Sequence, residues 1–219
     1  MSTPTLIRVT LNLAHPGVRR DLGDAGNMHR TVMSLAPDHL GAAPRQKAGM
    51  LYRVEETTRA VTLLVQSSAP VDVRELPPGY GQIETRNLTG LFTHLREGLL
   101  VQYRIAANPV RAVRDPDTPS KRGAGLPRGK PKAIYGEEAI SWWTRRAHAA
   151  GLEIHTAQAT RARAARSGNR TGLLHVLTRF DGLATVTDSE RLTQAILHGV
   201  GKGKSFGAGL LSLAPGHPA

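Results

Sequence analysis

The chain has 219 residues, enough for one domain or two small ones, and its 40% hydrophobic content allows a packed core although aromatics reach only 4%. Lysine and arginine number 29 against 17 aspartate and glutamate, a formal charge of +12 and a pI near 11, which favours a polyanionic partner, nucleic acid before an acidic membrane surface. There is no cysteine, so disulfides and thiolate metal sites are excluded, and neither a long apolar span nor a basic amphipathic helix supports a membrane role.

Residues 1–8 lack the apolar stretch of a signal peptide, so the expected location is cytoplasmic. Residues 5–13 alternate apolar and polar and predict a strand, ended by Pro16 and Gly17. Asp24 is placed to cap a helix whose Met28, Val32 and Leu35 recur at helical spacing until Pro37. Residues 50–56 and 61–66 predict two strands joined by a turn. Residues 71–76 predict a short helix and 80–85 another strand. The order β-α-β-β-α-β is that of a ferredoxin-like unit.

The second half repeats that order without repeating the residues. Residues 99–106 predict a strand, and 137–150 a helix with Ile140, Trp143 and Ala147 on one side. Residues 152–159 and 173–186 predict further strands. Asp188 caps a helix to about His198, with Leu192, Ile196 and Leu197 inward, and 210–213 form a last short strand. The fold class expected is therefore α+β, two tandem ferredoxin-like (βαββαβ) domains with antiparallel sheets, spanning residues 1–93 and 94–219.

Two connections are basic. Residues 108–132 hold Arg111, Lys121, Arg122, Arg128, Lys130 and Lys132 among five prolines, a composition that predicts no regular structure. Residues 160–170 hold Arg161, Arg163, Arg166 and Arg170 with no acid. Their Arg-Ala alternation suits the arms of a hairpin turning at Ser167-Gly168-Asn169. Charge alone fits a solvated loop equally well, but the pair of runs points to an RNA or DNA surface.

The segment from Gly199 to Gly209 puts five glycines and two lysines into eleven residues. Glycine lets successive N–H groups address one anion, and Gly201, Lys202, Gly203, Lys204 and Ser205 are the candidate phosphate clamp. A purely structural glycine turn is the plain alternative. A P-loop does not fit: its opening glycine would fall at His198, and a helix precedes the loop where a strand is required.

This tail, read with Val101-Gln102-Tyr103-Arg104-Ile105-Ala106-Ala107-Asn108-Pro109 and Met28-His29-Arg30-Thr31, resembles the CasE family, the CRISPR repeat-processing endoribonucleases of type I-E (Cascade) systems. Arg19-Arg20-Asp21-Leu22 before the histidine helix and Phe180-Asp181-Gly182, read as a strand turn, fall in the same order, so the likeness spans nearly the whole chain. The resemblance implies metal-independent cutting of precursor CRISPR RNA at the base of a repeat stem-loop. The ribose 2′-OH attacks the adjacent phosphorus, a 2′,3′-cyclic phosphate remains, and the mature guide stays bound. It implies no cofactor, the repeat stem-loop and the other Cascade subunits as partners, and a free protein that is monomeric.

Within that resemblance His29 matches the catalytic position, and its side-chain class titrates near neutrality. Lys202 and Lys204 are expected to stabilise the phosphorane. Arg19, Arg20 and Arg30 are expected to join Arg111, Lys121, Arg122, Arg128, Lys130, Arg161, Arg163 and Arg166 on RNA. The chain departs from the family where some members carry a tyrosine three residues before the histidine: Gly26 stands there, and Tyr52, Tyr80, Tyr103 and Tyr135 are the only tyrosines that could substitute. No clustered Asp/Glu/His set has metal-ligand spacing. The alternative reading is a non-catalytic stem-loop RNA-binding subunit of a ribonucleoprotein.

Overall fold

The computed structural model describes residues 3–113, 130–163, 165–166 and 174–216. In the first half, β1 (Thr5–Leu11) buries Ile7, Val9 and Leu11 on one face, as its alternation requires. Pro16 does more than end this strand. It opens α1 (Pro16–Gly23), where its missing N–H is harmless, and His15 Nδ1 accepts from the Gly17 amide at 3.1 Å. The sequence reading missed this helix. Asp24 then caps α2 (Ala25–Met33), accepting from Gly26 N at 2.7 Å and Asn27 N at 3.0 Å.

A short turn of helix, α3 (Pro44–Lys47), leads into β2 (Leu51–Glu56) and β3 (Val61–Ser67). The short helix expected over 71–76 shrinks to a 3-10 turn at Val73–Glu75, because Asp72 bonds the Arg74 amide and fixes a local turn instead. With β4 (Gly81–Asn87) the antiparallel sheet runs β2-β3-β1-β4.

Next come α4 (Thr89–His94), β5 (Leu100–Ala107), and the strands β6 (Val110–Val113) and β7 (Lys130–Ala133). Contrary to the proline-based expectation, the two ends of the 108–132 connection pair as an antiparallel ladder, Val110 opposite Ala133 and Val113 opposite Lys130. Pro131 is accommodated because a two-stranded ladder is all edge. Lys121, Arg122 and Arg128 lie outside the described residues.

Then follow α5 (Gly136–Ala149), β8 (Leu152–Ile154), β9 (Gln158–Arg161), β10 (Ala165–Arg166), β11 (Leu174–His175), β12 (Thr178–Val186), α6 (Ser189–His198), a 3-10 turn at Lys204–Phe206 and β13 (Leu211–Pro215). The second sheet runs β13-β5-β12-β8, with β9 also on β12. In both sheets the fourth strand of the βαββαβ unit lies beside the first, and the third separates the first from the second. That order and the all-antiparallel pairing make two ferredoxin-like units.

The second unit's second strand is split into β8 and β9, where the sequence predicted one. Thr156 crosses Gly182 at the break, and a Cβ on Gly182 would stand 1.9 Å from the Thr156 carbonyl oxygen. Phe180-Asp181-Gly182 is thus mid-strand, not a turn, and the glycine makes room for the kink. A hairpin forms here, but its second arm lies beyond the predicted 160–170 span: Ala165 pairs with His175 and Arg166 with Leu174, a register centred on residue 170 and not on 168. Its proposed turn at 167–169 lies outside the described residues.

Each sheet packs its helices over its own core. Ile7, Val9, Met28, Val32, Leu63 and Val65 fill the first. Trp143, Phe180, Ile105, Leu192 and Ile196 fill the second, with Leu91 and Phe92 of α4 packed against it. The halves are joined by a buried cation. Arg53 of β2 is 2% exposed and donates to the carbonyls of Leu210 at 2.7 Å and Arg104 at 3.1 Å and to Ser212 Oγ at 2.9 Å. Gln66 of β3 adds a bond to the Ile196 carbonyl at 2.7 Å.

Candidate active site

The orientation of α2 is set from below. Asp21 of α1 is buried, and a lone buried carboxylate is costly. Here it accepts from Thr31 Oγ1 at 2.6 Å, the Tyr80 hydroxyl at 2.8 Å and Arg20 Nε at 2.8 Å. The Thr31 bond fixes the rotation of α2, so that Met28 and Val32 face the core and His29 sits half-buried at the edge of that stripe.

Opposite it lies the glycine segment. Gly199 ends α6 with φ +73°, and a Cβ there would meet Leu51 Cδ2 at 2.7 Å, so only glycine lets the chain turn against β2. The segment is a folded turn, not a loose strap. Val200 N bonds Gly209 O, Phe206 N and Ala208 N bond Gly203 O, and Gly209 N bonds Ala106 O. Tyr52 of β2 donates its hydroxyl to the Ser205 carbonyl at 3.0 Å, with its ring against Gly207. Burial pushes that phenol far above its usual range, so it stays a neutral donor. Phe206 anchors the turn beside Met28, Tyr52 and Val54. The amides of residues 201–205 bond no acceptor among the described residues.

The Lys204–Phe206 turn packs directly on α2. Between the two stands Arg45 of α3, a residue the sequence reading missed. It is half-buried and gives one bond to the Met50 carbonyl at 3.2 Å. Burial and then the Arg45 charge hold both the His29 imidazole and the Lys204 ammonium below their usual ranges. Burial alone lowers Arg45 itself. No carboxylate is among the groups acting on these three, and neither Arg45 nor Lys204 has an ion pair among the described residues. A half-buried guanidinium and ammonium that repel each other, beside an imidazole whose protonation the guanidinium disfavours, form a site short of an anion.

The other sequence-predicted residues divide. Lys202 is exposed with no ion pair among the described residues, whereas the Lys204 Nζ caps the end of α6 through the His198 carbonyl at 2.6 Å. Arg19 and Arg20 lie on α1, both exposed, with Arg20 held by Asp21. Arg30 is exposed and bonds Asn27 Oδ1. Arg111 pairs with Glu138 at 3.2 Å. Arg163 pairs with Glu56 and bonds the Leu22 carbonyl at 2.9 Å, so it fastens the basic hairpin to the first unit. Arg161 is exposed without an ion pair among the described residues, while Lys130 and Arg166 sit in β7 and β10. Nothing in sequence spacing marks Arg45, since α3 is four residues long and its role depends on where β2 brings it. Among the described residues no three His, Asp or Glu side chains gather as a metal-holding group, and no helix is long and apolar enough to cross a membrane.

Comparison with known proteins gives one consistent picture. The family model described as CRISPR associated protein matches residues 6–215. The chain is 30% identical to the CRISPR-associated endoribonuclease Cse3 of Thermus thermophilus, covering 96% of this chain and 99% of that one. It is 25% identical to the CRISPR system Cascade subunit CasE of Escherichia coli, covering 88% and 92%. A solved structure of Thermus thermophilus Cse3 bound to an RNA representing a pre-cleavage complex superposes with a TM-score of 0.77 at 28% identity, over 97% of this chain and 100% of that one.

Proposed function

The chain belongs to the family of CRISPR-associated proteins matched over residues 6–215, and from that premise we propose that it is an endoribonuclease acting on CRISPR repeat RNA as a Cascade subunit. The first unit supplies His29 and Arg45, and the second supplies the glycine turn and the basic hairpins. The substrate is the repeat stem-loop, cut once at the base of the stem without a metal ion, and the mature guide stays bound. The protein works in the cytoplasm.

The observation that carries this reading is the pair of cations Arg45 and Lys204 beside the His29 imidazole and the amides of residues 201–205, which bond no acceptor among the described residues. The scissile phosphate is the anion that set lacks. Because burial and Arg45 keep the imidazole unprotonated at neutral pH, His29 accepts the proton of the attacking 2′-OH. Arg45, Lys204 and the loop amides hold the charge that grows on the phosphorane, in a setting where no reorganisation is needed. The bond from phosphorus to the 5′-oxygen breaks, that oxygen takes a proton from solvent and leaves as a hydroxyl, and a 2′,3′-cyclic phosphate remains. Tyr52 and Tyr80 do not replace the tyrosine absent at Gly26, since each hydroxyl is already committed, to Ser205 and to Asp21.

The test is incubation of the purified protein with the host repeat transcript in EDTA and mapping of the ends. A single cut with a cyclic phosphate is expected. RNA bound tightly but left whole would return the chain to a non-catalytic binding role.

A further inference from the structure

The two basic hairpins rise from one cleft. β7 runs through Ile134 and Tyr135 into α5, and β9 runs out through Arg161 toward β10. Between them lies a cleft of about 260 Å3 lined by Tyr135, Thr160, Arg161, Val176, Leu177 and Thr178. Tyr135 is 62% exposed, the most exposed large hydrophobic side chain among the described residues. Its hydroxyl has no hydrogen bond and its ring no aromatic partner among them, and although Tyr135 precedes α5 its side chain does not cap the helix. The fold therefore makes no use of this ring.

The charges beside it are unevenly committed. Arg111 and Arg163, at the two hairpin roots, are held by Glu138 and Glu56. Arg161 and Lys132 are exposed with no ion pair among the described residues. An idle aromatic face and an uncommitted guanidinium lining one cleft match two parts of a nucleotide. A base needs a π surface, and a phosphate needs a cation. Glu137 and Glu138, on the first turn of α5, repel a phosphate from the helix side and leave Arg161 as its place.

We propose that this cleft is a second RNA contact, outside the His29 site, that takes one unpaired nucleotide next to the stem. Its base stacks on Tyr135 and its phosphate lies on Arg161. The nucleotide must be unpaired because bases inside an A-form stem present no free face. The inference rests on the repeat-RNA reading above, and it adds where the RNA continues beyond the bond that is cut.

The test uses the full chain and repeat transcripts carrying 2-aminopurine at each unpaired position in turn. One position is expected to lose fluorescence on binding to the parent protein and to Tyr135→Phe, and to keep it with Tyr135→Ala. Tyr135→Ala is expected to weaken binding about 5- to 100-fold, the range for one stacked base, while Tyr135→Phe binds within about twofold of the parent. Single-turnover cleavage at saturating RNA stays at the parent rate in both, since neither change touches the scissile phosphate. The proposal is overturned if Tyr135→Ala binds like the parent, if alanine and phenylalanine weaken binding alike, or if no position responds to the ring. A parent protein that does not bind the repeat overturns the functional reading as well, whereas one that binds and cuts normally alongside an indifferent Tyr135→Ala removes this cleft alone.

Discussion

Two clusters of basic side chains lie on either side of β2, and they differ in what neutralises their charge. Toward the cleft between the sheets, Arg53, Arg104 and Arg179 share Glu55 and Asp181 through a chain of ion pairs, with Arg53 to Glu55 at 2.6 Å and Arg179 to Asp181 at 2.7 Å. Toward α2, His29, Arg45 and Lys204 have no carboxylate acting on them. The first cluster is complete within the protein and holds two units together. The second remains repulsive until something negative arrives. Charge count would not separate them; the presence or absence of internal anions does.

The comparison is most exposed at His29. His29→Ala is expected to slow single-turnover cleavage by about 10²–10⁴-fold, the usual worth of a general base, while hairpin affinity stays within about twofold. Cleavage at the parent rate would remove the imidazole from the chemistry. Next in size is the contrast between the arginines. Arg53→Met should cost about 3–5 kcal/mol in a denaturant melt, because buried carbonyls and Glu55 lose their partner. Arg45→Met should leave the melt unchanged or slightly improved, since it relieves repulsion, and should weaken repeat-RNA binding. If Arg45→Met destabilises as much as Arg53→Met, the two clusters are of one kind.

A smaller effect lies in pH. His29 titrates below its unfolded value of 6.5, so the folded protein takes up its proton later than the unfolded chain. Its contribution to stability is complete above pH 6.5 and is lost as pH falls through the folded value. The acid limb of kcat/KM should likewise lie below 6.5, and Arg45→Met should move it upward. A limb that ignores Arg45 would separate that charge from the imidazole. Smallest is the salt response: Lys202→Gln should reduce the slope of log affinity against log salt by about one, the loss of a single phosphate contact.

Much of the fold was legible because its signals are local. The alternation in β1, the Asp24 cap and the Asp188 cap depend on residues within a few positions, and each stands where the pattern put it. The helix begun by Pro16 was missed because proline ends a strand and starts a helix with equal ease. The break between β8 and β9 was missed because its cause, Thr156 crossing Gly182, is tertiary. The site divided the same way. His29 and the glycine segment stand out in the sequence, but whether they meet depends on the packing of α2 against residues 204–206. Arg45 carries no signal until that packing exists, and Lys204 looked free because its bond to His198 is made only by the folded turn.

The Arg53 bond to Leu210 joins residues 157 positions apart. Until the ribosome has released the stretch from 199 to 215, Arg53 lacks its roof, Tyr52 has no Ser205 carbonyl to hold, and His29 has no Lys204 turn beside it. A chain cut short before residue 199 therefore lacks the contacts through which the first unit's Arg53, Tyr52 and α2 meet the second.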